Sequence, residues 1–274
     1  MNDFDLRKYL AEGMLLKEAK DNPKAIILAG APGAGKGSIL SKLDIGDLKI
    51  LNIDNTFISK LKQANVTLDL KNATPEERSE QAKAMAAANK EFKGELQGVI
   101  DGKQSFVLDG TAASYKKTAE LKDQLEEAGY DVFMLYVYTD LERSLKQNQD
   151  RFEKSGGEDR SLAPAIVLRT WKGVTDNLKP YADLFGNNFT AVANTLEGNK
   201  IEDIEDILQT YLEPFAPKNT KPKTPAQQEK SDKQKAELNA EIQAMLNDDF
   251  LESILAYTVS KDEAQSKLQN FLRS

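Results

Sequence analysis

The sequence predicts an α/β fold: a P-loop NTPase-type, five-stranded parallel sheet between helices, with an N-terminal helix and a C-terminal helical extension. Two observations support this prediction. Short apolar runs alternate with amphipathic helical patterns over residues 23–213, which is typical of a parallel sheet with crossover helices. Glycine or aspartate follows or ends three of these runs, as expected where polar groups gather at the carboxyl ends of the strands.

A glycine-rich loop follows the first apolar run. Residues 25–29 predict a buried strand, and a helical pattern resumes with Ile39 and Leu40. From Gly30 to Lys36 the spacing satisfies the Walker A pattern, whose backbone N–H groups and lysine bind phosphates. Gly37 stands where most such loops carry Ser or Thr. The candidate ATP-binding residues are Gly30, Ala31, Pro32, Gly33, Ala34, Gly35, Lys36, Gly37 and Ser38.

The later elements are predicted from apolar periodicity and from capping signals. Thr74, Pro75 and Glu77 form a capping box that opens a long Ala-rich helix. The expected strands are 48–53, ending at Asp54, then 104–109, 132–137 and 189–193. The expected helices are 75–102, 115–128, 141–152, a helix from Pro164 towards Leu184, and 201–212.

Composition shifts divide the chain into four segments. An amphipathic N-terminal helix occupies 1–22, and the P-loop domain occupies 23–213. Prolines and lysines mixed over 214–232 predict an extended linker. Residues 233–274 predict a helical pair, which is too small to bury much surface alone. We therefore expect this pair to dock on the P-loop domain or on another subunit.

Composition also excludes several kinds of chemistry. The chain has 274 residues, a net charge of −7, no cysteine and no histidine. Disulfides, thiol catalysis and histidine-ligated zinc are therefore excluded, and a general base must be a carboxylate, Lys or Tyr. The negative charge argues against a general nucleic-acid surface and leaves local basic stretches open. No apolar run is long enough to span a membrane, so a cytoplasmic location is expected.

Two aspartates at predicted strand ends are candidate catalytic and metal-binding residues. Asp54 is the candidate base for a substrate hydroxyl; the alternative is a cap for the helical turn 55–61. Asp109 ends an apolar strand, as a Walker B carboxylate does; the alternative is an Asp-Gly turn. With Gly37 lacking a hydroxyl, we expect Mg²⁺ to be held by phosphates, waters, Asp54 and Asp109, with Ser38 one position further on.

Three arginines surround a polar loop at 155–160. Phosphoryl transfer spreads negative charge, which arginines in a closing lid can neutralise. Arg151 and Arg160 flank the loop and are the stronger candidates, whereas Arg169 lies on the following helix. The alternative is that each is a solvated surface residue, as arginines usually are.

These motifs together resemble the zeta-toxin and polynucleotide-kinase branch of small P-loop kinases. The resemblance is carried by the glycine-rich loop, Asp-Asn-Thr-Phe at 54–57, Val-Leu-Asp-Gly-Thr at 107–111, and Asn148 three residues before Arg151. It implies that Asp54 is the base and that Asp109 and Thr111 contact the acceptor. It also implies that Arg151, with Arg160 or Arg169, holds the transferring phosphate. The loop itself is similar to that of adenylate kinases, and residues 4–12 resemble the N-termini of small T4-like phage proteins.

The leading functional prediction is an ATP- and Mg²⁺-dependent kinase that phosphorylates a hydroxyl of a small molecule, nucleotide-sugar or nucleic-acid end. A second hypothesis is a nucleotide-binding interaction module, encoded by a phage, in which the terminal helices engage a protein partner. A third is a nucleoside monophosphate kinase. For a phage protein the cytoplasm would be that of the host. The identity of the acceptor is open.

Overall fold

The computed structural model describes residues 22–43, 45–70, 72–195 and 224–274. Within these ranges, one sheet of six parallel strands has the order β2-β3-β1-β4-β5-β6. The strands are β1 (Lys24–Ala29), β2 (Lys49–Asn52), β3 (Phe106–Asp109), β4 (Asp131–Tyr138), β5 (Phe189–Ala193) and β6 (Thr258–Val259). The predicted α/β class and parallel sheet are confirmed.

The helices alternate with these strands and pack on both sides of the sheet. They are α1 (Lys36–Leu40), α2 (Ile53–Gln63), α3 (Pro75–Asp101), α4 (Tyr115–Glu127), α5 (Leu141–Lys154), α6 (Pro164–Asp176), α7 (Leu178–Phe185), α8 (Pro225–Met245), α9 (Asp248–Leu255) and α10 (Lys261–Arg273). The capping box predicted for α3 is present: Thr74 Oγ1 accepts from Glu77 N–H, and the Glu77 carboxylate accepts from Thr74 N–H.

The central strand β1 is buried along its length, and successive side chains enter opposite cores. Ile26 and Leu28 pack in the core that contains α1 and α10. We call this side of the sheet, with Ile39, Leu40, Ala264, Leu268 and Phe271, the α10 face. On the other side, Ala25, Ile27 and Ala29 join side chains of α3, α4, α7 and α9.

The prediction of five strands is wrong by one, because the C-terminal segment adds β6. Thr258 and Val259 pair with Ala191 and Val192 of β5. Two residues are too short a run to show a strand period in the sequence. The C-terminal segment therefore docks on the sheet of its own chain, one of the two placements that were expected.

The C-terminal boundaries also differ from expectation. Residues 225–232 of the predicted linker are helical. Thr224 is the N-cap of this helix and forms a capping box with Gln227, and Pro225 is the first helical residue. The expected helical pair is three helices, since Asn247 caps α9 and ends the preceding helix. The rest of the linker (214–223), the N-terminal helix at 3–20 and the helix at 201–212 lie outside the described residues.

Two further helices differ from the sequence prediction. The second strand stops at Asn52, because the Asn52 side chain caps α2 and Asp54 then lies in the first helical turn. The helix expected from Pro164 to Leu184 is divided into α6 and α7 at Asn177, whose side-chain amide donates to the Ala113 carbonyl at 3.1 Å.

Candidate active site

The glycine-rich loop runs between the end of β1 and α1, at the centre of the sheet. Gly33 and Gly35 have φ values of 75° and 78°, which L side chains rarely adopt. A Cβ on Gly33 would lie 2.6 Å from the Ser144 carbonyl oxygen, and one on Gly35 would lie 2.5 Å from Asn194 Nδ2. Both glycines are therefore required by conformation and by close packing.

Two polar side chains that the sequence analysis missed support this loop. Ser144 Oγ, on α5, donates to the Pro32 carbonyl at 2.6 Å. Asn194 Nδ2, just after β5, donates to the Ala34 carbonyl at 2.8 Å, and its own backbone N–H is held by Tyr138. These two hydrogen bonds anchor the loop to α5 and to the end of β5, and so help to keep the shape that a phosphate-binding loop needs.

Lys36 begins α1 and directs its ammonium group back onto the loop. Its Nζ donates to the carbonyls of Gly30 and Ala31 at 2.9 and 3.2 Å. Burial lowers the pKa of Lys36, and the charges of Asp109 and Asp54 oppose that shift. No salt bridge within the described ranges includes Lys36, so its charge is available for a phosphate.

Asp54 projects from the first turn of α2 and faces an arginine from the 155–160 loop. Arg160 Nη2 donates to Asp54 Oδ2 at 2.5 Å. The Arg160 side chain is mostly buried, with 16% of its surface exposed, and that of Asp54 is one-third exposed. The structure thus brings together two predicted catalytic residues that are 106 positions apart.

Asp109 ends β3 beside Asn52, the last residue of β2. Asn52 Nδ2 donates to Asp109 Oδ2 at 2.7 Å. Burial raises the pKa of the Asp109 carboxyl, whereas Lys36 and the hydrogen bond from Asn52 oppose the shift. Asp109 also borders an open cavity of about 640 Å³ beside α1 that Gly37 and Ile50 help to line.

The three candidate arginines have different surroundings. Arg151 pairs with Asp159 across the polar loop, and its charge, like that of Arg160, acts on Lys36. Arg169 is exposed on α6. No hydrogen bond or salt bridge found among the described residues joins Arg169 to the other candidate site residues. Arg160 therefore contacts a site residue directly, Arg151 is linked to Lys36 only through its charge, and Arg169 is apart from both.

Ser38 and Thr111 are the two remaining candidate site residues. Ser38 is exposed in the first turn of α1, and a Cβ placed on Gly37 would meet nothing within 4 Å. The Thr111 carbonyl accepts from Gly30 N–H at 3.2 Å. The next residue, Ala112, has a left-handed φ of 52°, and its carbonyl is held by the Tyr181 hydroxyl at 2.7 Å.

The carboxylates present fit Mg²⁺ that is shared with a nucleotide better than an all-protein metal centre. Among the residues that the structure describes, no group of three His, Cys, Asp or Glu side chains could hold a metal. Asp54 and Asp109 instead act on the same lysine of the phosphate loop. Mg²⁺ is usually bound by one or two carboxylates together with phosphates and water.

No helix among the described residues is long and apolar enough to cross a membrane.

Structures of similar fold include proteins from two systems. One structure is of the PezAT chromosomal toxin-antitoxin system of Streptococcus pneumoniae, at 16% identity over 89% of this chain and 98% of that one, with a TM-score of 0.46. Another is the AvrRxo1-ORF1:AvrRxo1-ORF2 complex with sulphate ions, at 16% identity over 93% and 89% of the two chains, TM-score 0.48. The same complex with ATP matches at 17% identity over 92% and 89%, TM-score 0.47.

The chain also matches a protein-family model. No curated protein matches the chain significantly. The model for the family described as Zeta toxin matches residues 11–200, which is more than half of the chain and includes every candidate site residue. The chain therefore belongs to the zeta toxin family and is a P-loop phosphotransferase.

Proposed function

We propose that this protein transfers the γ-phosphoryl group of ATP to a hydroxyl group of a small molecule, nucleotide-sugar or nucleic-acid end. The observation that carries the proposal is that four chain segments meet at the carboxyl ends of the strands. Asp109 ends β3, Asp54 follows β2, and Lys36 follows the loop after β1. Arg160 pairs with Asp54 from the 155–160 loop. We propose the cytoplasm as the location, where ATP is available.

In the proposed mechanism, the loop N–H groups and Lys36 hold the β- and γ-phosphates. The Arg160–Asp54 ion pair keeps both groups at the site before ATP binds. When the γ-phosphate enters, Arg160 has a second anion to pair with, and Asp54 is then free to accept the proton of the acceptor hydroxyl. Arg151, exchanging Asp159 for phosphate, adds positive charge at the moving group.

Asp54 and Asp109 are the residues proposed to hold Mg²⁺, with Ser38 beside them. When bound there, Mg²⁺ would neutralise the negative charge that develops on the phosphate oxygens. Asp109 and Thr111 are also the residues proposed to contact the acceptor. We also propose that the terminal helical segments bind a protein partner, although α10 packs on the sheet of its own chain.

The proposal is tested with γ-labelled ATP and a panel of sugars, nucleotide-sugars, nucleosides, nucleoside monophosphates and oligonucleotides. We expect label on one hydroxyl-bearing class, and Asp54→Asn to lower kcat by about 10²–10⁴-fold while ATP affinity measured in EDTA changes little. Asp176→Asn is the matched control, since Asp176 pairs with Lys172 on α6, away from the loop. Transfer by Asp54→Asn at the wild-type rate would contradict the role of Asp54.

The same panel separates the alternatives. Label on nucleoside monophosphates alone would favour a nucleoside monophosphate kinase. ATP binding without transfer to any acceptor would favour a nucleotide-binding interaction module.

A further inference from the structure

Asn52 makes two hydrogen bonds that join parts of the site from different strands. Its Oδ1 accepts from the backbone N–H of Asp54 at 2.8 Å, and its Nδ2 donates to Asp109 Oδ2 at 2.7 Å. One amide group thus contacts both carboxylate-bearing residues. Neither the Walker A pattern nor the pattern of acidic strand ends points to an asparagine at this position.

Strand pairing explains why this residue reaches both partners. In the parallel register of β2 and β3, Asn52 lies beside Asp109. The chain then turns directly into α2, with Asn52 as its N-cap. A side chain at this point can therefore face the neighbouring strand with one atom and the new helix with another.

The two contacts need different chemistry, which only an amide of this length provides here. Capping the helix needs an acceptor, and Ser, Thr or Asp could supply one. Holding the Asp109 carboxylate needs a donor, which Asp lacks. Ser and Thr have side chains shorter than Asn and carry a single oxygen, so they cannot span both partners. Replacement by serine therefore separates the two roles.

We propose that Asn52 is a positioning residue for the phosphoryl-transfer site. It holds the Asp109 carboxylate, which would bind Mg²⁺ in the proposed function, and through the same amide it fixes Asp54 in the first turn of α2. The inference rests on the proposed function. Hydrogen-bond partners of metal ligands commonly set ligand orientation and metal affinity in this way.

The test measures binding rather than transfer, because the acceptor is unidentified. A fluorescent ATP analogue carrying an N-methylanthraniloyl group is titrated into the full-length chain at a series of Mg²⁺ concentrations, and also in EDTA. For Asn52→Ser we expect about a tenfold increase in the Mg²⁺ concentration for half-maximal binding. Affinity in EDTA should stay at the wild-type value, because serine keeps the cap, and the melting temperature should fall by only a few degrees, because Asp109 loses one hydrogen bond.

Asn247→Ser is the matched control. Asn247 caps α9 through its Oδ1, which accepts from Phe250 N–H at 2.8 Å, and its amide donates to the Ala244 carbonyl rather than to a carboxylate. The same chemical change at this cap should leave the Mg²⁺ dependence unaltered. An equal shift in Asn247→Ser would overturn the proposal, as would a wild-type Mg²⁺ dependence in Asn52→Ser.

A double-mutant cycle tests whether Asn52 acts through Asp109. In an Asp109→Asn background, Asn52→Ser should produce no further change in the Mg²⁺ dependence. A further tenfold change there, or loss of cooperative unfolding in Asn52→Ser alone, would make Asn52 a purely structural residue and overturn the proposal. If the wild-type chain binds no ATP analogue at all, the proposed function itself fails, and this inference fails with it.

Discussion

Asp109 is a carboxylate whose folded environment opposes its charge. Burial raises its pKa above the ordinary value of 3.8, despite Lys36 and the amide of Asn52. A raised pKa means that the folded state binds the proton more tightly than the unfolded state, so ionisation of Asp109 weakens the fold. This cost is present above the folded-state pKa and disappears below the unfolded value.

Asp109→Asn should therefore stabilise the protein at pH 7 in EDTA. The amide is isosteric, uncharged and still able to accept from Asn52. We expect an increase in melting temperature of about 2 °C at pH 7, and no increase near pH 3, where Asp109 is protonated in the wild-type chain. Thermal unfolding at both pH values measures this difference. A lower melting temperature at pH 7 would show that Lys36 offsets the burial of Asp109 more fully than we infer.

The sequence could identify the charged site residues more readily than their uncharged supports. Lys36 belongs to a spaced motif, and Asp54 and Asp109 follow apolar runs, so pattern and chemistry coincide. Asn52, Ser144 and Asn194 hold the site through single amide or hydroxyl contacts with backbone and carboxylate groups. Such contacts depend on which segments meet in space, and no local spacing signals them.

Among the elements, the 155–160 loop is tied to the connection between α2 and α3. Ser161 Oγ donates to Asp69 Oδ1 at 2.7 Å, and Ser161 N–H donates to the Leu68 carbonyl at 3.0 Å. Asn148 Nδ2, from α5, donates to the Leu162 carbonyl at 3.1 Å. Arg160, which pairs with Asp54, is therefore next in the chain to a residue that is anchored to the α2–α3 connection.

Ser161→Ala should loosen this attachment without unfolding the protein. Loss of one hydrogen bond of about 0.5–1.5 kcal/mol should increase amide hydrogen exchange over residues 155–162 by about 2- to 10-fold. Mass-spectrometric exchange of the ligand-free chain measures the effect. Ser253→Ala, at an exposed serine of α9 bonded to the Phe250 carbonyl, should leave this segment unchanged. Unaltered exchange in Ser161→Ala would show that the backbone contact of Ser161 alone holds the loop.

Element boundaries were predictable at some capping signals and apolar runs, but the caps at Asn52, Thr224 and Asn247 were missed. The start of α3 at Pro75 and the bounds of β5 are as expected. The division at Asn177 was not, because it depends on contacts with the distant Ala113 carbonyl and on the packing of α7 beneath the Ala112 loop. A helical period runs through both α6 and α7, so apolar spacing alone reads them as one helix.

At the scale of the whole molecule, the C-terminal segment completes the P-loop domain. Phe271 of α10 packs on Phe133 of β4 with ring centroids 5.0 Å apart, and Ala264 and Leu268 are fully buried in the same core. The core also holds Ala34 and Ile39 of the phosphate loop and α1. The C-terminal helices therefore contribute to the floor of the candidate active site.

Phe271→Ala should lower the free energy of unfolding by about 3–5 kcal/mol, as expected for a large side chain removed from a core. Urea denaturation followed by circular dichroism measures the change. Lys267→Ala, at a half-exposed residue of the same helix, should stay within about 0.5 kcal/mol of the wild-type value. A similarly small effect of Phe271→Ala would mean that α10 contributes little to the fold.

The α10 face also has a consequence for the order in which the protein matures during synthesis. Residues 22–195 leave the ribosome before residues 264–271, by roughly 4 to 15 s at about 5–20 residues per second. During that interval the side chains of Leu28, Phe133 and Leu135 lack the α10 side chains that pack on them in the complete fold. The core beneath the glycine-rich loop is therefore incomplete in the nascent chain. Assembly of the phosphotransferase site is delayed until α10 has been synthesised.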